Sequence, residues 1–105
     1  MNDYSHSRER MVTEQMVSRG ISDTRILDAF RSVPRHLFVP KGSVSDGYGD
    51  FPISIGSGQT ISQPYVVAAM TEALEVCPDH VVLEIGTGSG YQAAILSCLA
   101  AHVDS

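Results

Sequence analysis

Apolar residues recur at helical spacing twice near the start of the chain. Met11, Val12, Met16 and Val17 form a narrow stripe over residues 8–18, closed by Gly20, a residue suited to the end of a helix. Asp23 stands where an N-cap belongs, and Ile26, Leu27, Ala29, Phe30 and Val33 make a second amphipathic face that stops before Pro34. Residues 34–40, PRHLFVP, hold a short apolar cluster between prolines, which predicts a single helical turn. Its His36 reads as a surface or hydrogen-bonded structural histidine rather than a base. Residues 41–63 show no helical period; glycines and serines alternate through them. Only residues 51–55 alternate like a strand, and Pro52 confines that strand to an edge. A loop of this length in a small domain is functional or disordered. The helical period returns with Ser62 as N-cap, and Val66, Val67, Met70, Ala73, Leu74 and Cys77 are expected on the buried side. Pro78-Asp79 breaks that helix. Residues 81–85, VVLEI, are β-branched at both ends and suit a parallel strand buried on both faces. Gly86, Gly88 and Gly90 follow, and then Tyr91, Ala94, Ile95, Cys98 and Leu99 at helical spacing. Strand, glycine turn and helix form the opening unit of a nucleotide-binding α/β sheet.

The chain has 105 residues, enough for one small domain with a modest core. Of these 43% are hydrophobic and 18% charged, an ordinary globular balance. A net charge of −5 without a basic run argues against nucleic-acid binding. No apolar run has the length of a membrane span, and the polar start MNDYSHSRER does not read as a signal peptide. Cys77 and Cys98 fit no metal spacing, and none of the chain's residues is assigned to a metal. They read as free thiols of a reducing cytosol, with a single disulfide as the alternative. One strand with only the beginning of a second at Val103 is too little for a doubly wound sheet. The expectation is a fragment or shortened form of a larger enzyme: residues 1–78 carrying helices and an active-site loop, residues 79–105 the first strand, glycine turn and helix of a cofactor-binding fold.

The glycine spacing narrows the ligand. A dinucleotide fingerprint G-x-G-x-x-G counted from Gly86 needs glycine at position 91, which is Tyr91; the third glycine comes one residue early. This makes a nicotinamide oxidoreductase the weakest option. Glu84 at the strand end is poorly placed beside a pyrophosphate, but suits a ligand carrying an ammonium and a sulfonium. The pattern acid-x-Gly-x-Gly-x-Gly resembles the first motif of S-adenosylmethionine-dependent methyltransferases. The plainer alternative is a βα unit whose glycines serve only packing.

Three stretches together are more specific: VPRHLFVP at 33–40, GQTISQPYVVAAMTEAL at 58–74 and VLEIGTGSGYQAAIL at 82–96. In this order and spacing they resemble the protein-L-isoaspartate O-methyltransferase family, over roughly the N-terminal half of such an enzyme. The resemblance implies a Rossmann-like α/β methyltransferase fold with helices before its first central strand. It implies methyl transfer from S-adenosylmethionine to the carboxylate of L-isoaspartyl residues in damaged proteins, a repair reaction in the cytoplasm. Ser62 matches the family's active-site serine and is carried over as the catalytic residue, a hydrogen-bond donor rather than a nucleophile. Gln59, Thr60, Ile61 and Ser62, at the same junction, would hold the cofactor together with Glu84, Ile85, Gly86, Thr87, Gly88, Ser89 and Gly90. Tyr65 is expected near the mouth.

The acid expected on the ribose hydroxyls would fall at about residue 106, and Asp104 on a strand begun at Val103 would face elsewhere. Residues 1–105 by themselves are therefore expected to bind the cofactor weakly or not at all, to associate, and to transfer no measurable methyl. The competing readings are another methyltransferase with a different acceptor, against which residues 58–64 argue, and a non-catalytic fragment or interaction module. Oligomeric state has no signature in the sequence.

Overall fold

The computed structural model describes residues 4–84 and 88–104. A continuous helical run opens it: α1 (Ser5–Met11), a π-helical stretch Val12–Met16 and a 3-10 turn Val17–Arg19. Gly20 closes the run at φ +98°, a conformation that carries no steric cost in glycine. The helix thus begins earlier than the stripe suggested. Met11, Val12 and Met16 are buried, but Val17 is exposed, because the widened π turn rotates it off the packed face. Asp23 caps α2 (Thr24–Ser32) by accepting the Arg25 amide at 2.9 Å, and the whole expected face, Ile26, Leu27, Ala29, Phe30 and Val33, is buried.

The expected single turn forms as a 3-10 helix, Arg35–Phe38. His36 is structural: its Nδ1 is hydrogen-bonded to the Tyr48 hydroxyl at 2.9 Å, and its ring packs on Tyr4. A second 3-10 helix, Lys41–Asp46, lies where no helical period appeared; three residues per turn leave no 3.6-residue signature. The edge strand forms as β1 (Ile53–Gly56), and it has a partner that the sequence did not announce, β2 (Gln59–Ile61). The two pair antiparallel around Ser57 and Gly58, both at positive φ, with a bulge between Ser54 and Gly56. This is the geometry of a tight hairpin. It buries Ile53 against Ile61.

α3 (Pro64–Leu74) starts one residue later than expected. Gln63, not Ser62, is its N-cap residue, and Pro64 is its first residue. Proline favours that position and pushes the residue before it, Gln63, out of the helical region to ψ +139°, so Ser62 stays outside the helix. The buried side is also turned. Pro64, Val67, Ala68 and Thr71 are buried, whereas Val66, Met70, Ala73, Leu74 and Cys77 are exposed. The helix is apolar nearly all round, so its period did not fix a face. Thr71 tolerates burial because its hydroxyl donates to the Val67 carbonyl at 2.7 Å. Leu74 ends the helix through Glu75 in the left-handed region, ahead of Pro78.

The second sheet joins β3 (Val81–Leu83) and β4 (His102–Asp104) in parallel across α4 (Tyr91–Ser97). Tyr91, Ile95, Leu96 and Leu99 pack into the core; Cys98 is exposed, and both cysteines are free thiols. The expectation of a doubly buried strand fails for β3: Val81 is 69% and Leu83 71% exposed. Among the described residues only β4 pairs with it, and no layer covers those side chains. No described helix is long and apolar enough to cross a membrane.

Candidate functional site

Two chain segments converge on one open cleft of about 620 Å³. The first is the exit of the hairpin. β2 delivers Thr60 and Ile61 to its end, and Ser62 and Gln63 follow before Pro64 starts α3. Ile61 turns its side chain into the core, while Thr60 and Ser62 stay exposed on the cleft. The second is the exit of β3: Glu84, Gly88 and Ser89 line the opposite wall. The floor is apolar, with Met70 and Leu74 from α3, Val82 and Leu83 from β3, and Leu96 from α4. A concave, mostly apolar space of this size with a few polar groups at its rim is the usual form of a small-molecule site.

Of the expected site residues, Thr60, Ile61, Ser62, Glu84, Gly88 and Ser89 therefore share one cleft. Gln59 opens β2 on the exposed side of the hairpin and does not line it. Gly90 lies behind the wall as the residue before α4, at φ +86° and against the Phe38 ring. Ile85, Gly86 and Thr87 lie outside the described residues. Tyr65 sits beside the hairpin exit with the Arg19 guanidinium 5.3 Å from its ring centroid.

Two features of the second wall suit a ligand. The Glu84 Oε1 atom is buried and has no hydrogen-bond partner among the described residues, a costly state unless a donor arrives. Gly88 adopts φ +57° and borders open space where a Cβ would stand, so a ligand can approach its backbone closely. Glu84 is held from behind, its amide donating to the Asp104 carbonyl at 2.6 Å.

The first wall is held by two arginines that sequence reasoning had not marked. The Arg35 side chain is fully buried; its Nη2 donates to the Ser62 carbonyl at 2.9 Å and its Nε to Gly47 at 2.7 Å. Burial holds this guanidinium below its ordinary pKa. On the outer side Arg19 pairs with Asp50, and Asp50 Oδ1 accepts the Gln63 side-chain amide at 2.8 Å. These hydrogen bonds, chiefly that from Arg19, bring the Asp50 pKa down to about 2. The cleft residues Met70, Ala73, Leu74, Tyr91 and Gln92 were also missed as lining. The signal available for Arg35 was one arginine inside an apolar, proline-bracketed cluster; for α3 it was the i, i+3, i+4 stripe of Met70, Ala73 and Leu74.

Comparison with known proteins supplies the family. The sequence model for "Protein-L-isoaspartate(D-aspartate) O-methyltransferase" matches residues 6–104. A protein-L-isoaspartate O-methyltransferase of Synechococcus sp. (strain JA-2-3B'a(2-13)) is 58% identical over 102 residues, 97% of this chain and 42% of that protein. One of Methanoregula boonei is 60% identical over 99 residues, 94% of this chain and 46% of that protein. The chain thus spans about half the length of the curated relatives it matches. A solved protein-L-isoaspartate O-methyltransferase superposes with TM-score 0.76 at 34% identity, over 88% of this chain and 30% of that one. A second, from Plasmodium falciparum and solved in complex with S-adenosyl-L-homocysteine, gives TM-score 0.73 at 26% identity, over 86% and 40%. The fold is accordingly the N-terminal part of the Rossmann-like methyltransferase architecture, with helices preceding the first central strand. On the match across residues 6–104 and these identities, the chain belongs to the protein-L-isoaspartate(D-aspartate) O-methyltransferase family.

Proposed function

We propose that this chain carries the acceptor wall and the first cofactor wall of an S-adenosylmethionine-dependent methyltransferase acting on L-isoaspartyl carboxylates in damaged proteins. The reading rests on one observation: Thr60, Ile61 and Ser62 face Glu84, Gly88 and Ser89 across a single cleft. S-adenosylmethionine, when bound, supplies a methyl group already activated on a sulfonium. Glu84, Ile85, Gly86, Thr87, Gly88, Ser89 and Gly90 would hold it together with Gln59, Thr60, Ile61 and Ser62, the last of which also meets the acceptor. The unpartnered Glu84 oxygen and the open space at Gly88 fit such a cationic ligand.

The residues of the chain have little proton chemistry to perform. An isoaspartyl carboxylate, with a pKa of about 4, is ionised at neutral pH, so no general base is required. The Ser62 hydroxyl donates a hydrogen bond to that carboxylate without removing its charge. Alignment of acceptor oxygen, methyl carbon and sulfur then carries most of the rate. The resulting ester cyclises to a succinimide that reopens in part to aspartate, which is why the reaction counts as repair; its setting is the cytoplasm.

A second reading, a non-catalytic module that pairs with a partner through β3, is favoured by the exposure of Val81 and Leu83. One experiment separates the two. Residues 1–105 replace the matching part of the Synechococcus relative, and methyl transfer from labelled S-adenosylmethionine is measured on an isoaspartyl peptide and its aspartyl twin. Labelling of the isoaspartyl peptide alone is the expected result. Equal labelling of both overturns the substrate class, and a stable chimera that binds S-adenosylhomocysteine without transfer favours the second reading.

A further inference from the structure

We propose that Arg35 is the positioning residue of this site: it fixes the Ser62 backbone against the start of α4, and so sets the separation of the acceptor wall from the glycine turn. The inference rests on the reading of Ser62 as the acceptor-holding residue. Arg35 is 0% exposed, and no described carboxylate lies within ion-pair distance of it. A buried cation without a counter-ion is costly, and an apolar side chain of similar volume would fill the same space at lower cost. Packing alone therefore gives no reason for an arginine here.

Its geometry does give one. The Nε and Nη2 donors reach the carbonyls of Gly47 and Ser62, which lie 12 and 27 residues away in sequence. A planar fork with fixed donors suits two such acceptors, and a lysine does not. The face of the guanidinium lies over the Tyr91 ring, 4.9 Å from Cζ to centroid. That ring is itself fixed edge-on against Phe30 and Phe38, at 6.1 and 5.6 Å. Tyr91 is the first residue of α4 and follows Gly90 directly. Arg35 thus joins Ser62 on one wall to the exit of the glycine turn behind the other. Among the described residues the Ser62 segment has no other inner tether of this kind: it is neither helix nor ladder, and no side chain caps α3.

The test is amide hydrogen exchange, read by mass spectrometry on the 105-residue chain and on Arg35→Met, Arg35→Lys and Tyr91→Phe. In Arg35→Met, exchange over residues 59–67 is expected to rise at least tenfold more than exchange over α2. Arg35→Lys, which keeps the charge and can reach one carbonyl, should recover part of that protection, and Tyr91→Phe, which keeps the ring, should match the parent. A rise of equal size along the whole chain, or none over residues 59–67, overturns the proposal. If Arg35→Met does not fold, the local rise in Arg35→Lys decides in the same way. Neither donor nor acceptor is present, so the result stands whether or not methyl transfer is found, and its failure leaves the proposed reaction untouched.

Discussion

The two helical elements at the start of the chain are amphipathic, the first strand of the parallel pair near its end is apolar throughout, and they meet opposite fates. Around α2, every residue of the expected face is buried, and Phe30 is fully buried with its ring against Tyr91 of α4. Along β3, a more uniformly apolar run leaves Val81 and Leu83 largely in solvent. The difference lies in what each pattern specifies. Amphipathic spacing names one face and needs one neighbour, which a short chain supplies locally. A uniformly apolar strand states only that it tolerates burial on both faces, and the layers that would bury it come from other parts of a sheet.

The sharpest way to break this contrast is truncation on each side. Phe30→Ala is expected to cost about 3–5 kcal/mol, whereas Leu83→Ala should stay within about 0.5 kcal/mol, both read from urea unfolding. A comparable loss for Leu83→Ala would show that β3 is covered in solution, and the contrast would collapse.

Next in size is the wall that carries Ser62. In the chimera, Ser62→Ala is expected to slow turnover by roughly tenfold to a hundredfold, or about 1.4–2.7 kcal/mol of barrier. Its stability should change by less than about 0.5 kcal/mol, because Ser62 does not cap α3. Ser62→Thr should retain more activity. Turnover at the parent rate in Ser62→Ala would leave only the Ser62 backbone with a role.

On the opposite wall, Gly88→Val in the chimera is expected to weaken S-adenosylhomocysteine binding by at least about tenfold, or ~1.4 kcal/mol, by calorimetry. A branched side chain dislikes the φ of +57° and would fill the open space beside the turn. Near-parental affinity would make the turn structural only.

The smallest effect belongs to the clasp of Arg19, Asp50 and Gln63. The Asp50 pKa lies at about 2 in the folded chain, below the roughly 3.9 of an unfolded aspartate. Its stabilisation is therefore complete above about pH 4 and is lost as the pH falls towards about 2. Melting temperatures of the parent and Asp50→Asn should differ slightly at pH 6 and converge near pH 2. A difference that persists at pH 2 would assign the contribution to shape rather than charge.

What the sequence made legible follows the same division. Asp23, Gly20 and the α2 face were readable because caps and helical periods are local statements. So was the strand–turn–helix around Gly88 and Gly90, whose glycines occupy left-handed backbone. Ser62 was found through the likeness of the residues around it, yet its place outside α3 depended on Pro64, whose preference for the first turn outweighed a serine cap. β2 was hidden because three residues between a turn and a proline are too few to show alternation. Arg35 was hidden for a different reason. Its partners are backbone carbonyls 12 and 27 residues away, and a carbonyl leaves no mark in the sequence.

The register of the parallel pair also sets an order of events. Val81 meets His102, and Leu83 meets Asp104, 21 residues downstream. The hairpin can close as soon as Ile61 has been made, since its strands are joined by Ser57 and Gly58 alone. β3 must wait for α4 and β4. At a synthesis rate of roughly 5–20 residues per second, this leaves β3 without its neighbour for about one to four seconds. During that interval its apolar edge is open to whatever strand or chaperone is nearest. On the ribosome, the hairpin side of the cleft can therefore form before the β3 side has its first hydrogen-bonded ladder.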